Sequence, residues 1–515
     1  MIVNALKTRI SKITICTLIA GFSLTSCEKN DEVVVTPPPP PAAVRPDVVF
    51  YGLTEDNRIL RYNAKTAETS SGSISVTGLQ SSERLLSIDF RPATGQLYAL
   101  GSSSRVYSIN LNTGAATSPN VSQFSPNING ALASFDFNPT VDRIRLVTNT
   151  GQNMRLNPET GVTAATDMPI NGGSTPVITS IAYTNNFAGT ATTELFDIDF
   201  TSKKLYKQIP PNDGTLVEVG PLNVNFTGKG GFDINSDNSV ALATFTVGGV
   251  NKLYTVNLMT AGTTFLANLS VQLIDIAIPT QAVAYAVNAT GSLQIFNPLA
   301  TTAPIAKTIN GLAAGESILG IDFRPATGQL YGLAVTTSGA ARLYTFNLSS
   351  GAATGIGAGF NLAAGVTAVG FDFNPTVDRI RLVTNTGQNL RLNPNDGNIA
   401  ATDANLNPGT PVITGAAYTN NFAGTTSTTL FVLDAASLYI QTPPNAGTLV
   451  PVGMLGVTNA SQNGFDIGGA SNTAYALLTI GTTTKIYTVN TATGATTAGV
   501  DFPNAANGFA IGLGF

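Results

Sequence analysis

Short segments in which apolar and polar residues alternate follow one another along most of the chain. Ser87 to Phe90, Gln96 to Leu100 and Arg105 to Asn110 are three such segments. They are rich in Val, Ile, Thr, Tyr and Phe, whereas the residues between them, such as Arg91 to Gly95, are typical of tight turns. A period of two residues indicates a β-strand with one buried face. We find no convincing helical period, so the pattern predicts an all-β protein.

The segments repeat over a long distance. Phe135 to Asn153 returns unchanged at Phe371 to Asn389, an offset of 236 residues, and three further segments return at offsets of 233 to 235 residues. Such self-similarity indicates two copies of one structural unit. We predict that the first copy covers residues 47–280 and the second covers residues 281–515.

A shorter motif, in which Asp or Ala stands between apolar residues, recurs every 42 to 51 residues within both copies. Four short strands fit into each interval, and units of this size are typical of β-propeller blades. The pattern therefore predicts a β-propeller protein of ten four-stranded blades. The motif is centred on Asp89, Asp136, Ala182, Asp233, Asp275, Asp322, Asp372, Ala417, Asp466 and Ala510.

The chain ends indicate how the blades are completed. Val48 to Leu53 and Arg58 to Asn63 match the second and third strands of a blade, and Gly508 to Phe515 matches a first strand. We expect the C-terminal strand to complete the first blade, because this would remove an exposed edge. The join between the copies, Ile276 to Ala282, is as short as a turn within a blade, which favours one ten-bladed ring. The usual size of four to eight blades favours two rings of five, and both architectures stay open.

Two repeated segments resemble a bacterial family, the domain-of-unknown-function family numbered 4394. They are Ile88 to Tyr98, with the sequence IDFRPATGQLY, and Phe135 to Arg145, with the sequence FDFNPTVDRIR. The resemblance covers nearly all of the mature chain in two copies. It implies a secreted or surface β-propeller, but it implies no activity and no functional residues.

The N-terminus has the features of a lipoprotein signal. Three basic residues among the first twelve precede an apolar stretch, Ile13 to Leu24, that is too short to span a bilayer. The sequence Leu24 to Cys27 then resembles a bacterial lipobox. We interpret residues 1–26 as a lipoprotein signal peptide and Cys27 as the acylated residue, with an ordinary membrane anchor as the alternative.

Residues 27–46 form the predicted linker. It begins with an acidic stretch, Glu28 to Glu32, and continues with a semi-rigid polyproline segment, Pro37 to Pro41. The acidic stretch resembles a surface-export tag of bacterial lipoproteins, and a solvated spacer is the alternative. Several acyl chains on Cys27 would make a stable membrane anchor. We expect a bacterial outer-membrane lipoprotein at the cell surface, with a periplasm-facing position as the alternative.

The composition excludes several kinds of chemistry. The chain of 515 residues has no His and no Trp, and charged residues make up 11% of it. Catalysis by Ser-His-Asp or Cys-His and imidazole-bound metals are therefore excluded. Cys16 lies in the predicted signal peptide and Cys27 carries lipid, so we expect no disulfide and no Cys-bound metal. Removal of residues 1–26 changes the net charge from −4 to −7, which argues against nucleic acid as a partner. We predict no cofactor.

A pair of arginines in the longest unchanged segment is the strongest candidate site. Arg143 and Arg145 alternate with apolar residues, so both guanidinium groups lie on one face of a strand. Because a mid-strand Arg is costly unless it is paired, we favour pairing with Asp136, Asp142 or a carboxylate of a neighbouring blade. The alternative is binding of an acidic or polyol ligand. The candidate ligand-binding residues are Arg143, Arg145, Asn149 and Arg155 in the first copy and Arg379, Arg381, Asn385 and Arg391 in the second.

The motif Asp residues allow a second interpretation, a ring of carboxylates for a metal or for acid/base chemistry. Each stands between apolar neighbours, which favours a repeated structural bond to a backbone N–H or an Arg, and Ala182 and Ala417 interrupt the ring. We therefore assign no metal site and no catalytic residue. We expect a binding or scaffold module for a polysaccharide, a peptide or a partner protein. The alternative is a His-independent carbohydrate-active hydrolase or lyase that uses a carboxylate pair.

Overall fold

The computed structural model of the protein describes residues 44–173, 175–300, 303–458 and 463–515. In these ranges the chain forms forty β-strands, three short 3-10 helices and no α-helix. The strands make ten four-stranded antiparallel sheets, which confirms the all-β prediction and the ten four-stranded units. The predicted signal peptide, Cys27 and most of the predicted linker lie outside the described residues. The 3-10 helices are Ala64–Thr66, Pro211–Asp213 and Pro444–Ala446.

Five of the sheets are built from the first copy. In four of them the strands pair in chain order as consecutive hairpins, and in the fifth the last strand of the copy precedes the first three. The strands are β1 (Val49–Leu53), β2 (Arg58–Asn63), β3 (Gly72–Ser75), β4 (Leu85–Phe90), β5 (Leu97–Gly101), β6 (Arg105–Ile109), β7 (Ala116–Thr117), β8 (Ala133–Asn138), β9 (Arg143–Thr148), β10 (Asn153–Leu156), β11 (Thr163–Thr166), β12 (Ile178–Tyr183), β13 (Leu195–Asp199), β14 (Lys204–Gln208), β15 (Leu216–Pro221), β16 (Phe232–Ile234), β17 (Ala241–Val247), β18 (Val250–Val256), β19 (Thr263–Asn268) and β20 (Asp275–Ala277).

The second copy forms the other five sheets with the same order of pairing. Its strands are β21 (Ala284–Asn288), β22 (Ser292–Phe296), β23 (Ile305–Thr308), β24 (Glu316–Arg324), β25 (Gln329–Thr336), β26 (Ala340–Phe346), β27 (Ala353–Asn361), β28 (Val369–Asn374), β29 (Arg379–Thr384), β30 (Asn389–Leu392), β31 (Ile399–Thr402), β32 (Gly415–Tyr418), β33 (Leu430–Leu433), β34 (Ser437–Gln441), β35 (Leu449–Met454), β36 (Asn463–Ile467), β37 (Ala474–Ile480), β38 (Thr483–Val489), β39 (Thr496–Phe502) and β40 (Ala506–Ile511).

The strand that completes the first sheet comes from the end of the first copy. β20 pairs with β1, with Tyr51 opposite Ala277. The C-terminal strand β40 instead pairs with β21 of the second copy, with Tyr285 opposite Ala510. The expectation that the C-terminal strand completes the first blade is therefore wrong. Each copy ends in its own completing strand, so the edge of β1 is already hydrogen-bonded before the second copy begins.

One edge strand of each sheet packs against the equivalent strand of the next sheet, and we call these the leading strands. In the first copy they are β4, β8, β12, β16 and β20, and each contacts the next in this order. β20 also contacts β4. In the second copy β24, β28, β32, β36 and β40 contact one another in the same way, and β40 also contacts β24. The extensive contacts between leading strands therefore fall into two sets of five.

The core lies in the spaces between neighbouring sheets, where apolar faces of adjacent strands meet. Tyr98 of β5 packs edge-on against Phe137 of β8, with ring centroids 5.2 Å apart. Tyr331 and Phe373 make the same contact in the second copy, at 5.1 Å. Aromatic and β-branched residues suit such half-buried pleated surfaces. The duplicated sequence thus packs in the same way in both copies.

The two copies contact each other directly and belong to one compact unit, Ala43–Phe515. Arg91 is fully buried, and its guanidinium donates to Asp142 within the first copy and to the carbonyl of Gly328 in the second copy at 2.9 Å. Gly95 has a positive φ of 71°, and a Cβ at this position would lie 2.7 Å from the ring of Phe515. Any side chain at Gly95 would therefore disturb this contact.

Candidate functional site

Both predicted arginines of β9 and β10 meet one carboxylate. Arg145 lies opposite Arg155 in the strand register, and Asp167 follows β11 on the same sheet. Arg155 donates twice to Asp167, at 2.8 Å each, and Nη1 of Arg145 donates to it at 2.5 Å. The structure therefore shows the pairing interpretation for Arg145, but with Asp167 as the partner instead of Asp136 or Asp142.

The remaining donors of Arg145 are also used within the chain. Its side chain is 2% exposed, and it donates to Oδ1 of Asn153 at 2.8 Å and to Oδ1 of Asn212 at 2.6 Å. Asn212 belongs to the next sheet, so the guanidinium group joins two sheets. Burial raises the pKa of Asp167, but hydrogen bonds from Arg155 and Arg145 lower it more, so it stays below its usual range.

The second copy repeats this cluster. Arg381 is equally buried and donates to Asp403, Asn389 and Asn445, at 2.7 Å in each case. Arg391 makes two bonds of 2.9 Å to Asp403. The duplication therefore preserved the whole hydrogen-bonded cluster.

The other four predicted residues lie apart from these clusters. Arg143 and Arg379 are half-buried, and each donates to the carbonyl of the residue before it, at 2.8 and 2.9 Å. Asn149 accepts from the backbone of Leu132 at 3.0 Å, and Asn385 accepts from Thr367 at 3.1 Å. These bonds hold loops in place. Ligand binding by the predicted residues stays a prediction.

The sequence analysis missed Asp167 and Asp403, which form the centres of the clusters. Both lie outside the segment that is unchanged between the copies, because the chain differs at several positions just before them. Their offset is nevertheless 236 residues, the same as that of Arg145 and Arg381. An equal offset of opposite charges was the signal that could have identified the pairs.

The motif Asp residues bridge neighbouring sheets through backbone N–H groups. Asp89 accepts from Phe90 on its own strand at 2.7 Å and from Phe137 on the next leading strand at 2.8 Å. Asp136 accepts in the same way from Tyr183, at 3.0 Å. These bonds support the interpretation of the motif as a repeated structural element.

The carboxylates also converge in two groups of three. Their oxygens lie within 4.8 Å of one another in the first triad (Asp89, Asp136 and Asp233) and in the second triad (Asp322, Asp372 and Asp466). Every member is at most 2% exposed. Burial raises the pKa of Asp233 to about 8 and that of Asp466 to about 7. Some members therefore remain protonated at neutral pH.

The chemistry of the triads is limited by their position. Carboxylate oxygens are ligands that hard cations prefer, but most of these oxygens already accept backbone N–H bonds, and an acidic cluster alone does not define a metal site. Glycosidases place two carboxyl groups on either side of an accessible glycosidic bond. The buried triads offer no such access, so they do not support the hydrolase alternative.

The structure corrects the motif position in the last unit of the first copy. Asp233 accepts from the N–H of Ile278, the residue after Ala277, just as Asp466 accepts from Ile511, the residue after Ala510. Ala277 is therefore the equivalent of the motif residue, and Asp275 is not. The apolar neighbours of Asp275 imitate the motif two residues too early. Asp275 instead accepts from Ser87 and Ile88 in the adjacent sheet.

Near Asp275, the leading strands of the first copy surround a half-buried amine. Nζ of Lys229 donates to the carbonyls of Leu86 and Ala133, the latter at 2.8 Å. Burial lowers the pKa of Lys229, while the charge of Asp275 opposes this shift. Lys229 thereby ties the segment before β16 to two other leading strands.

A cavity of about 370 Å³ opens beside this amine, and we call it the Lys229 cavity. Its walls include the half-buried side chains of Leu86, Leu132 and Ile274. Arg84 and Glu55 are exposed at its rim, with 3.9 Å between their charged atoms. The arrangement offers one cation at the base of an apolar recess, a combination that sequence reasoning did not detect.

Ten four-stranded antiparallel sheets in two equivalent halves define a duplicated all-β protein. The family model described as "Domain of unknown function (DUF4394)" matches residues 58–277 and 292–512. The chain therefore belongs to this family and contains two tandem copies of its domain, as the repeated segments indicated. No curated protein matches the chain. Within the described part of the chain, no helix has the length and apolar character needed to cross a membrane.

Proposed function

We propose that the protein is a surface-anchored bacterial lipoprotein whose folded part is a ligand-binding or scaffold module of two five-bladed β-propellers. The observation that carries the binding part is the Lys229 cavity, a recess with one convergent cation and apolar walls. Ligand sites in proteins are typically concave and mostly apolar with a few placed polar groups. The anchoring part rests on the sequence around Cys27.

The two-ring architecture is supported by the contacts of the leading strands. Each set of five has a last strand that contacts the first. Each set also contains its own completing strand, β20 or β40. One ring of ten would instead require β40 to lie beside the sheet of β1. Five blades per ring lie within the usual range of four to eight.

A pair of introduced cysteines tests this architecture. Tyr51 and Ala277 are register partners, and opposite residues of antiparallel strands have Cα atoms about 4.5–5.5 Å apart, which suits a disulfide. We expect Tyr51→Cys with Ala277→Cys to oxidise readily in a chain that also carries Cys16→Ser and Cys27→Ser. Mass spectrometry without reduction measures the bond. Tyr51→Cys with Ala510→Cys is the matched control, and formation of a disulfide there would support a single ring.

The proposed function requires both anchoring and binding, and one experiment on whole cells tests both. Cells that express the full chain should retain a ligand from a panel of labelled polysaccharides and peptides. Cells with Cys27→Ala should not retain it, because the unlipidated protein leaves the membrane. The purified Cys27→Ala protein should still bind that ligand in solution, which shows that the fold is intact.

Three results would contradict parts of this proposal. Equal retention by cells with Cys27→Ala would disprove the lipid anchor. The absence of any retained ligand would disprove the binding module. Release of cleaved polysaccharide fragments by the purified protein would show an enzyme, the alternative that the sequence left open.

A further inference from the structure

The Lys229 cavity contains a cation with unused binding capacity. An ammonium group has three N–H donors, and two of them go to the carbonyls of Leu86 and Ala133. Among the described residues, no carboxylate lies within 4.0 Å of Nζ, since the influence of Asp275 is exerted from a greater distance. Burial has already removed much of the water around the amine. An incoming anion would therefore meet a cation that has little hydration to lose.

The walls of the cavity restrict what can carry that anion. Leu86, Leu132 and Ile274 present aliphatic surface, and no aromatic side chain is among the described residues that line the cavity. Proteins often bind sugar rings against aromatic faces, so a glycan fits these walls poorly. A volume of about 370 Å³ is near the lower end for small-molecule sites. The ligand should be compact and aliphatic.

The second copy provides an internal comparison. Gln462 stands at the position equivalent to Lys229, and Gly508 stands at the position equivalent to Asp275. The cation and its nearby anion are thus replaced together in the second copy. This shows that the two charges depend on each other, and it provides a pair of substitutions that the same fold already accommodates.

We propose that the Lys229 cavity binds a carboxylate on a compact aliphatic body, as in a short fatty acid or in the C-terminal aliphatic residue of a peptide. This inference rests on the proposed function, because it names the ligand class of the binding site in the first copy. The carboxylate accepts the third N–H of Lys229, and the aliphatic part packs against Leu86, Leu132 and Ile274. Arg84 at the rim adds a second positive charge.

Two pairs of small probes test the proposal on the purified full chain. Hexanoate and its neutral analogue hexanamide represent a free fatty acid. N-acetyl-leucine and N-acetyl-leucinamide represent a peptide C-terminus. We expect at least one carboxylate to bind roughly tenfold or more tightly than its amide, because a hydrogen bond to a charged group is worth about 1.5–3 kcal/mol. Ligand-observed NMR titration measures the affinities, and preference for one carboxylate over the other identifies the source.

The matched variants use the residues of the second copy. Lys229→Gln with Asp275→Gly keeps the net charge and should abolish the preference for the carboxylate at an unchanged melting temperature. Lys204→Gln with Glu218→Gln removes an exposed ion pair instead and should leave binding unchanged. If the Lys229 variant fails to fold, Leu132→Trp, which fills the cavity from its wall, serves as the second variant and should block both carboxylates.

The inference is wrong if neither carboxylate binds more tightly than its amide. It is also wrong if the Lys229 variant folds and retains the preference. Retention of another ligand by whole cells, with no binding of these probes, would overturn only this inference and would leave the proposed function intact. Failure of the whole-cell experiment together with specific binding of a probe would have the opposite meaning.

Discussion

Replacing Arg145 by alanine is expected to lower the free energy of unfolding by roughly 3–5 kcal/mol, the usual cost of breaking a buried ion pair. The guanidinium group supplies donors to Asp167, Asn153 and Asn212. Its removal leaves the two amide oxygens without a donor and opens a space between two sheets. Arg381→Ala should have the same effect in the second copy, because its partners are equivalent. Urea unfolding of each variant measures the change.

Arg143→Ala is the matched control for this prediction. Arg143 is one strand residue pair away, but it is half-buried and donates only to the carbonyl of Asp142 in the described contacts. We expect its replacement to cost about 1 kcal/mol or less. A fully stable Arg145→Ala protein that has lost a ligand would contradict the structural role and would favour the ligand-binding interpretation of the sequence.

Raising the pH from 5 to 9 is expected to lower the stability of the protein through the two Asp triads. In the unfolded chain these carboxyl groups titrate near 3.8, whereas in the folded protein the pKa of Asp466 is about 7 and that of Asp233 about 8. Between these values the folded state binds more protons than the unfolded state, so stability falls as the pH rises. The contribution is fully present below the unfolded pKa and is lost through the folded pKa.

The charged groups around the triads act in recognisable directions. Asp275 also has a raised pKa, caused by burial and opposed by Lys229, so it adds to the loss at high pH. Asp197 is fully buried, both of its oxygens lack a hydrogen-bond partner among the described residues, and its pKa is raised well above the usual value by burial. Asp167 and Asp403 have lowered pKa values, so their stabilising effect is lost only in acid.

Two substitutions test the origin of this pH dependence. Asp136 and Asp372 each accept one backbone N–H bond, from Tyr183 and Tyr418, which an amide oxygen can accept equally well. We expect Asp136→Asn with Asp372→Asn to flatten the decline and to raise the melting temperature at pH 9 by several degrees. Asp213→Asn, at an exposed turn, is the control and should leave the profile unchanged. A wild-type melting temperature that stays constant or rises from pH 5 to 9 would refute the prediction.

Much of the fold follows from local sequence patterns. The alternation in segments such as Ser87 to Phe90 predicts a strand without knowledge of its neighbours, because side-chain direction alternates along any strand. The recurrence of the motif predicts ten four-stranded units, and the long repeat predicts two copies. These features depend on residues close together in the chain or on identity between segments, and both can be read directly from the sequence.

The candidate sites were less predictable, because their contacts join residues that are distant in the sequence. The sequence placed a costly arginine at position 145, but its partners are Asp167 beyond the next two strands and Asn212 on another sheet. Asp275 reaches Ser87 across 188 positions. Apolar neighbours made Asp275 resemble a motif residue, and only the inter-sheet hydrogen bonds show that Ala277 holds that place.

The sequence by itself determined the strands, the ten units, the duplication and the membership in the family, since periodicity and repetition are local properties. The tertiary structure alone decided that β20 and not β40 completes the first sheet, because strand pairing depends on which edge lies nearest in space. It also decided that three carboxylates converge at the leading strands of each copy and that one amine lies under an apolar recess. Burial and convergence belong to the assembled sheets, and they turn a chain poor in charge into one with a few strongly perturbed groups.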